Sequence, residues 1–183
     1  GGRGPGGLGG GGGDGFRAVR AGESRGSGFD RLGRPAMLFE PHLFWRELGE
    51  GSKRARAAAA GLAWPKWRPG AYPPDSYPNL IAAIAIDETA ALRSASWGLG
   101  QVLGSNHRAA GYASPQAMVA AFCDDEEAHL AAMVSFIKAT SIDDDLRAHR
   151  WDVFAPVYNG PGYATHDHHG RLAPPYARRR GTT

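Results

Sequence analysis

Cysteine is almost absent from the 183-residue chain. Cys123 stands alone, so no internal disulfide can form and no cysteine cluster can hold zinc. No apolar run reaches the ~18 residues that a membrane-spanning helix needs. The start lacks the charged-then-apolar pattern of a signal peptide. Charge of one sign is scarce as well: 21 Lys and Arg against 18 Asp and Glu leave +3. That is too little for a nucleic-acid binder, whose basic residues would cluster in a stripe, although it suits a partner with an anionic surface. Hydrophobic residues make up 42% of the chain, which excludes disorder throughout. A chain of this length buries about two thirds of its unfolded surface and needs no covalent staple. On a prior of roughly 150 residues per domain, the composition describes one soluble domain, expected in the cytoplasm, and leaves its chemistry open.

Glycine is abundant, with 27 residues in all and its densest run from Gly1 to Gly15 (GGRGPGGLGGGGGDG). Such a run buries almost nothing and has the most backbone entropy to lose, so it is expected to be disordered. A glycine-rich phosphate cradle would need a strand before it and a helix after it, and neither is visible. The chain opens on Gly rather than Met, which suggests a fragment, a processed product or a faulty gene start. Arg178–Thr183 (RRRGTT) reads as a basic, solvated tail, which leaves a folded unit over Phe16–Ala177.

Within that unit the apolar spacing predicts a mainly α fold. Tyr77–Ala95 reads as one helix, with Leu80, Ile81, Ile84 and Leu92 inward. Ser114 and Pro115 start another as N-cap and first helical residue, with Met118, Val119 and Phe122 on its inner face. After the acidic stretch Asp124–Glu127, Leu130, Met133, Val134 and Ile137 carry the period on to Ala139. Shorter helices are expected at Pro41–Leu48, Ser52–Ala60, Trp97–Leu103, Ile142–Ala148 and Trp151–Tyr158. Pro35–Phe39 and the Pro-rich Trp64–Tyr72 look extended, a small hairpin or irregular insert.

With neither a cysteine cluster nor a phosphate loop, carboxylates are the main candidates for chemistry. Glu23 closes a short helical stretch that runs into a Gly-rich turn (ESRGSGF). A helix C-terminus is already negative, so the charged carboxylate is disfavoured there and its pKa is pushed upward, as a general acid requires. The plainer reading is a surface Glu at a helix end. Glu40 follows the apolar run Met37–Phe39 and precedes Pro41, and periodicity leaves open whether it faces solvent or a cleft.

Four segments occur in an order that carries a resemblance: ESRGSGF at Glu23–Phe29, GRPAMLFEPHLF at Gly33–Phe44, SASWGLGQVLGSNH at Ser94–His107 and YNGPGYA at Tyr158–Ala164. Together they resemble the N-acetylmuramidase domain of phage and prophage endolysins, over about Val19–Ala177. More distantly they are similar to goose-type lysozymes and Slt-type lytic transglycosylases. The resemblance implies a lysozyme-like helical domain that cleaves the β-1,4 bond between N-acetylmuramic acid and N-acetylglucosamine in peptidoglycan. It implies that Glu23 is the catalytic acid, with Ser24 as its supporting hydroxyl. Trp97 and Gln101 match the segment lining the sugar cleft, and Tyr158 and Asn159 the Tyr-Asn pair facing the catalytic Glu. Glu40 matches a family Glu and is the candidate second carboxylate, activating water or stabilising positive charge at the anomeric carbon.

These roles also make physical sense. Glycoside hydrolysis passes through an oxocarbenium-like state and commonly uses one protonated and one ionised carboxyl. Aromatic faces hold sugar rings while amides and hydroxyls fix their substituents. Trp97 has a competing reading as simple core.

Other features divide between function and structure. His166, Asp167, His168 and His169 (THDHH) lack the spacing of metal ligands, so no metal or cofactor is expected. His42 and His107 accompany the family segments but suit structural roles too. Asp124–Glu127 and Asp143–Asp145 read as solvated faces or helix starts, and Cys123 as packing. Trp64, Trp67 and Tyr72, interleaved with Lys66 and Arg68, either touch glycan or pack.

Two departures from the resembled pattern stand out. Only Phe16–Glu23 remains of the helix leading into Glu23, with Gly22 just before it, and Pro174-Pro175 would break a closing helix. The partner implied is the glycan strand of the bacterial wall, reached after release from the host cytoplasm, with neither nucleic acid nor membrane involved and a monomer as the default. Two rivals remain. One is a lytic transglycosylase, which would leave 1,6-anhydromuramyl ends, and the other a catalytically impaired wall-binding module.

Overall fold

The computed structural model describes residues 28–148, 150, 152 and 153. Glu23, Ser24, Tyr158, Asn159, the glycine run, the His166–His169 loop, the basic tail and most of the expected Trp151–Tyr158 helix lie outside the described residues. The chain divides into two compact units, 27–136 and 1–26 with 137–183.

The described residues form seven α-helices and a small sheet, so the mainly helical expectation holds. In chain order the elements are β1 (Met37–Phe39), α1 (Pro41–Glu47), α2 (Ser52–Ala59), α3 (Tyr77–Ile84), α4 (Glu88–Arg93), β2 (Ala95–Trp97), β3 (Val102–Leu103), a 3-10 turn (Gly104–Asn106), α5 (Pro115–Asp124), α6 (Glu126–Ala139) and α7 (Asp143–Arg147).

The first unit is built around the sheet, which runs antiparallel in the order β1-β2-β3. Met37 pairs with Trp97 and Phe39 with Ala95, and Trp97 pairs in turn with Val102. Ahead of β1, the Asp30 carboxylate accepts the N–H groups of Leu32 and Arg34, an Asx-type turn around Gly33. That turn lets Phe29 bridge Pro35, so the chain leaving the ESRGSGF segment lies beside the strand that leads to Glu40.

The core of this unit joins Phe39, Phe44, Leu80, Leu92, Trp97, Leu99, Met118, Phe122 and Met133, all buried. Phe39 and Phe44 meet edge to face with centroids 5.5 Å apart, fixing α1 against β1. Ser114 caps α5 as expected, its hydroxyl accepting the Ala117 N–H at 3.1 Å, with Pro115 at the first helical position.

Four sequence expectations change. Tyr77–Ala95 is two helices, because the Asp87 side chain accepts the Ala90 N–H and starts α4 after Ile84. Ile81, expected inward, is 64% exposed. Trp97–Leu103 is a hairpin rather than a helix: Gly98 (φ +70°) and Gln101 (φ +48°) take left-handed conformations that a right-handed helix cannot contain. Trp64–Tyr72 contains no strand, since Pro65 and Pro69 supply no N–H to a ladder; it forms turns around Gly70 instead.

In the second unit, α6 runs out past Ile137 into Ser141, whose φ of +57° turns the chain, and Ile142 N–H closes back on the Ile137 carbonyl. The α7 helix follows with Asp143, Asp144 and Asp145 in its first turn, where negative side chains complement the helix dipole. Arg147 pairs with Asp143 and Asp144.

Candidate active site

Glu40 sits at the junction of β1 and α1, in extended conformation as the residue before Pro41. Its backbone N–H donates to the Ser94 carbonyl, just ahead of β2, so the sheet fixes where its side chain begins. The carboxylate does not cap α1. It accepts a hydrogen bond from the Tyr72 hydroxyl at 2.9 Å, and its side chain is 20% exposed. Burial raises its pKa above the usual carboxylate value, and the Tyr72 hydrogen bond and the Arg46 charge oppose that rise. A carboxyl of this kind gives up its proton late and accepts one readily.

Tyr72 comes from the Pro-rich insert. Burial and the neighbouring Glu40 push its phenol well above its ordinary range, while a hydrogen bond from the Trp67 indole pulls the other way. The hydroxyl therefore stays protonated and serves as a donor. His42 Nδ1 lies 3.4 Å from the same Glu40 oxygen, within ion-pair range but without hydrogen-bond geometry, and it is buried with no other partner among the described residues. Burial and Arg46 hold the His42 pKa down. The imidazole is neutral at neutral pH, and the pair is not an ion pair there.

Of the insert's aromatics, then, Tyr72 bonds Glu40 and Trp67 bonds Tyr72. Trp64 makes a different contact: Arg68 lies over its ring, 4.8 Å from the centroid. This division between Trp67-Tyr72 and Trp64 has no counterpart in the sequence pattern.

Trp97 is 2% exposed and its indole N–H donates to the Leu92 carbonyl at 3.1 Å. It contributes by anchoring the hairpin rather than by offering an open ring face, which agrees with the core reading. Gln101 occupies the hairpin loop. Its amide nitrogen donates to Ala36 O at 3.3 Å and Gly98 O at 2.9 Å, tying the loop to the residue before β1. The amide oxygen is left as the group it can present to a ligand. A non-glycine residue at φ +48° stores strain, a feature that concentrates at functional loops.

A third group of residues, not anticipated from the sequence, holds this loop in place. His129 on α6 is fully buried. Its Nδ1 accepts the Leu99 N–H at 3.2 Å and its Nε2 donates to the Phe122 carbonyl at 2.8 Å. On the same helix, Glu126 accepts the N–H of Gly28, the residue that closes ESRGSG. Asp124–Glu127 is therefore not simply a solvated face. The available signal was the helical step within α6 from Glu126 through His129 to Met133, which sets two polar residues in line with a buried methionine. His107 is structural, its Nδ1 paired with Gly104 O at 3.0 Å, and Cys123 is exposed rather than packed.

No helix among the described residues is long and apolar enough to cross a membrane. No curated protein matches the chain at a significant level. Among solved structures, the crystal structure of the Burkholderia AP3 phage endolysin is similar, with 34% identity and a TM-score of 0.75. The match covers 90% of this chain and 64% of that one, so this chain spans less than two thirds of that endolysin's length. Residues 14–180 match the family described as Muramidase: N-acetylmuramidase. The span takes in all four segments that carried the resemblance, and on it the chain belongs to the N-acetylmuramidase family of glycoside hydrolases.

Proposed function

We propose that this chain is a peptidoglycan hydrolase of the phage endolysin type, cleaving the β-1,4 bond between N-acetylmuramic acid and N-acetylglucosamine. Glu23 gives its proton to the glycosidic oxygen as the bond from the anomeric carbon breaks. Glu40 takes a proton from the water whose oxygen bonds to that carbon. Ser24 supports the Glu23 carboxyl, and Gln101, Tyr158 and Asn159 hold the N-acetylated sugars. Trp97 keeps the hairpin that carries Gln101 in register. The chain acts as a monomer on wall glycan, after release from the cytoplasm of its bacterial host.

The observation that carries this reading is the environment of Glu40: a carboxylate in the family's LFEPHLF segment, four-fifths enclosed and hydrogen-bonded to a phenol. A solvated surface Glu would have neither burial nor such a partner. The test is mass spectrometry of the fragments released from purified peptidoglycan. Hydrolysis leaves reducing N-acetylmuramic acid ends. Release of 1,6-anhydromuramyl ends would make the chain a lytic transglycosylase, and binding without release would make it a wall-binding module.

A further inference from the structure

Ionisable side chains approach Glu40 from the insert, where Tyr72 reaches it, and from α1, with His42 and Arg46. From the α4–β2 side it meets a backbone carbonyl, that of Ser94, which is occupied by Glu40's own N–H. His42 makes no hydrogen bond to it. The Tyr72 hydroxyl is thus the one side-chain donor seen bonded to the carboxylate among the described residues. That hydroxyl is itself held, because the Trp67 indole donates to it.

We propose that Tyr72 is a positioning residue of the muramidase site, whose hydroxyl, backed by the Trp67 indole, orients the Glu40 carboxylate and keeps it able to accept a proton. The Trp67–Tyr72 part of the Pro-rich insert then belongs to the catalytic apparatus rather than to the surface. This deepens the proposed function and rests on the reading of Glu40 as the base.

The physical reason is a conflict at Glu40. Burial favours the protonated carboxyl, which cannot activate water. A hydrogen bond from a neutral phenol stabilises the ionised form more than the protonated one and so works against burial. With two lone-pair-bearing oxygens, the carboxylate can give one to Tyr72 and keep the other for the water. The phenol's own proton is secure, so it donates throughout the working range. The indole of Trp67 polarises the phenol and fixes its ring.

The experiment is the pH dependence of kcat/KM on soluble peptidoglycan for the wild type, Tyr72→Phe, Glu40→Gln and the double variant, with each Tm recorded. The acid limb of such a profile reports the base and the alkaline limb the acid. Tyr72→Phe should move the acid limb to higher pH by about one unit, from the usual strength of a hydrogen bond to a charged group, and leave the alkaline limb in place. In the Glu40→Gln background, where the acid limb set by Glu40 is gone, the same change should leave the pH profile of the residual activity unaltered. An acid limb that stays put in a folded Tyr72→Phe protein overturns the proposal. Glu40→Gln with wild-type kcat/KM overturns instead the assignment of Glu40 as base. If Tyr72→Phe does not fold, Trp67→Phe decides: a smaller rise of the acid limb supports the proposal, and an unmoved limb overturns it.

Discussion

Gly98 stands so close to His129 that a Cβ built on it would lie 2.8 Å from the imidazole Nδ1. The same imidazole faces Gly28, where a Cβ would fall well inside contact distance. One buried side chain on α6 is thus flanked by two glycine backbones, one closing the Glu23 segment and the other opening the Gln101 loop. Neither position tolerates a side chain, and Gly98 also needs its positive φ. The loop carrying Gln101 takes its shape from helix α6 as much as from its own residues.

Gly98→Ala should therefore cost about 2–5 kcal/mol, combining left-handed strain with overpacking against the ring. Urea denaturation measures this directly. A loss below about 0.5 kcal/mol would mean that the His129 contact is not tight.

His129→Ala should be at least as harmful, on the order of 3–5 kcal/mol, because it opens a cavity and leaves the Leu99 N–H and the Phe122 carbonyl unpaired. His129→Gln, which can keep one of the two hydrogen bonds, should recover part of that loss. Equal destabilisation by the two variants would show that glutamine restores neither hydrogen bond nor packing at this position.

Gln101→Ala and Gln101→Gly separate strain from binding. Both remove the amide that ties the loop to Ala36 and Gly98. Only glycine also relieves the strain of φ +48°, so Gln101→Gly should be more stable than Gln101→Ala by about 1 kcal/mol. Both should raise KM for glycan strands more than they lower kcat, read from initial rates on soluble peptidoglycan.

Glu40→Gln should abolish most activity while raising stability at neutral pH. The sign follows from the raised pKa of Glu40 in the folded protein. Ionising it at neutral pH costs folding free energy, and the cost disappears once the pH falls below the unfolded-state value. The variant's Tm should exceed the wild type's at pH 7, by on the order of 2 °C, and match it near pH 4. A lower Tm at pH 7 would mean that the ionised carboxylate is a net stabiliser.

Much of this was legible in the sequence. The α1, α2 and α5 helices followed from apolar period, Ser114 and proline placement, because those signals are local. Glu40 was identified from its segment but its surroundings were not, since Tyr72 lies 32 residues away and reaches it through turns with no regular period. In Trp97–Leu103 the residues Leu99, Val102 and Leu103 mimic helical spacing. Only the left-handed backbone at Gly98 and Gln101 breaks it. His129 was missed because a histidine on a helix carries no mark of burial until the glycines that clasp it come from elsewhere in the chain.

In the proposed mechanism Glu23 supplies the proton that breaks the glycan strand. Turbidity clearing of outer-membrane-permeabilised bacterial cells by the wild-type chain and by Glu23→Gln at matched concentration tests it most directly. The wild type should clear rapidly and the variant at a rate at least a hundredfold lower, as expected for loss of a general acid. Equal clearing by the two proteins would contradict it.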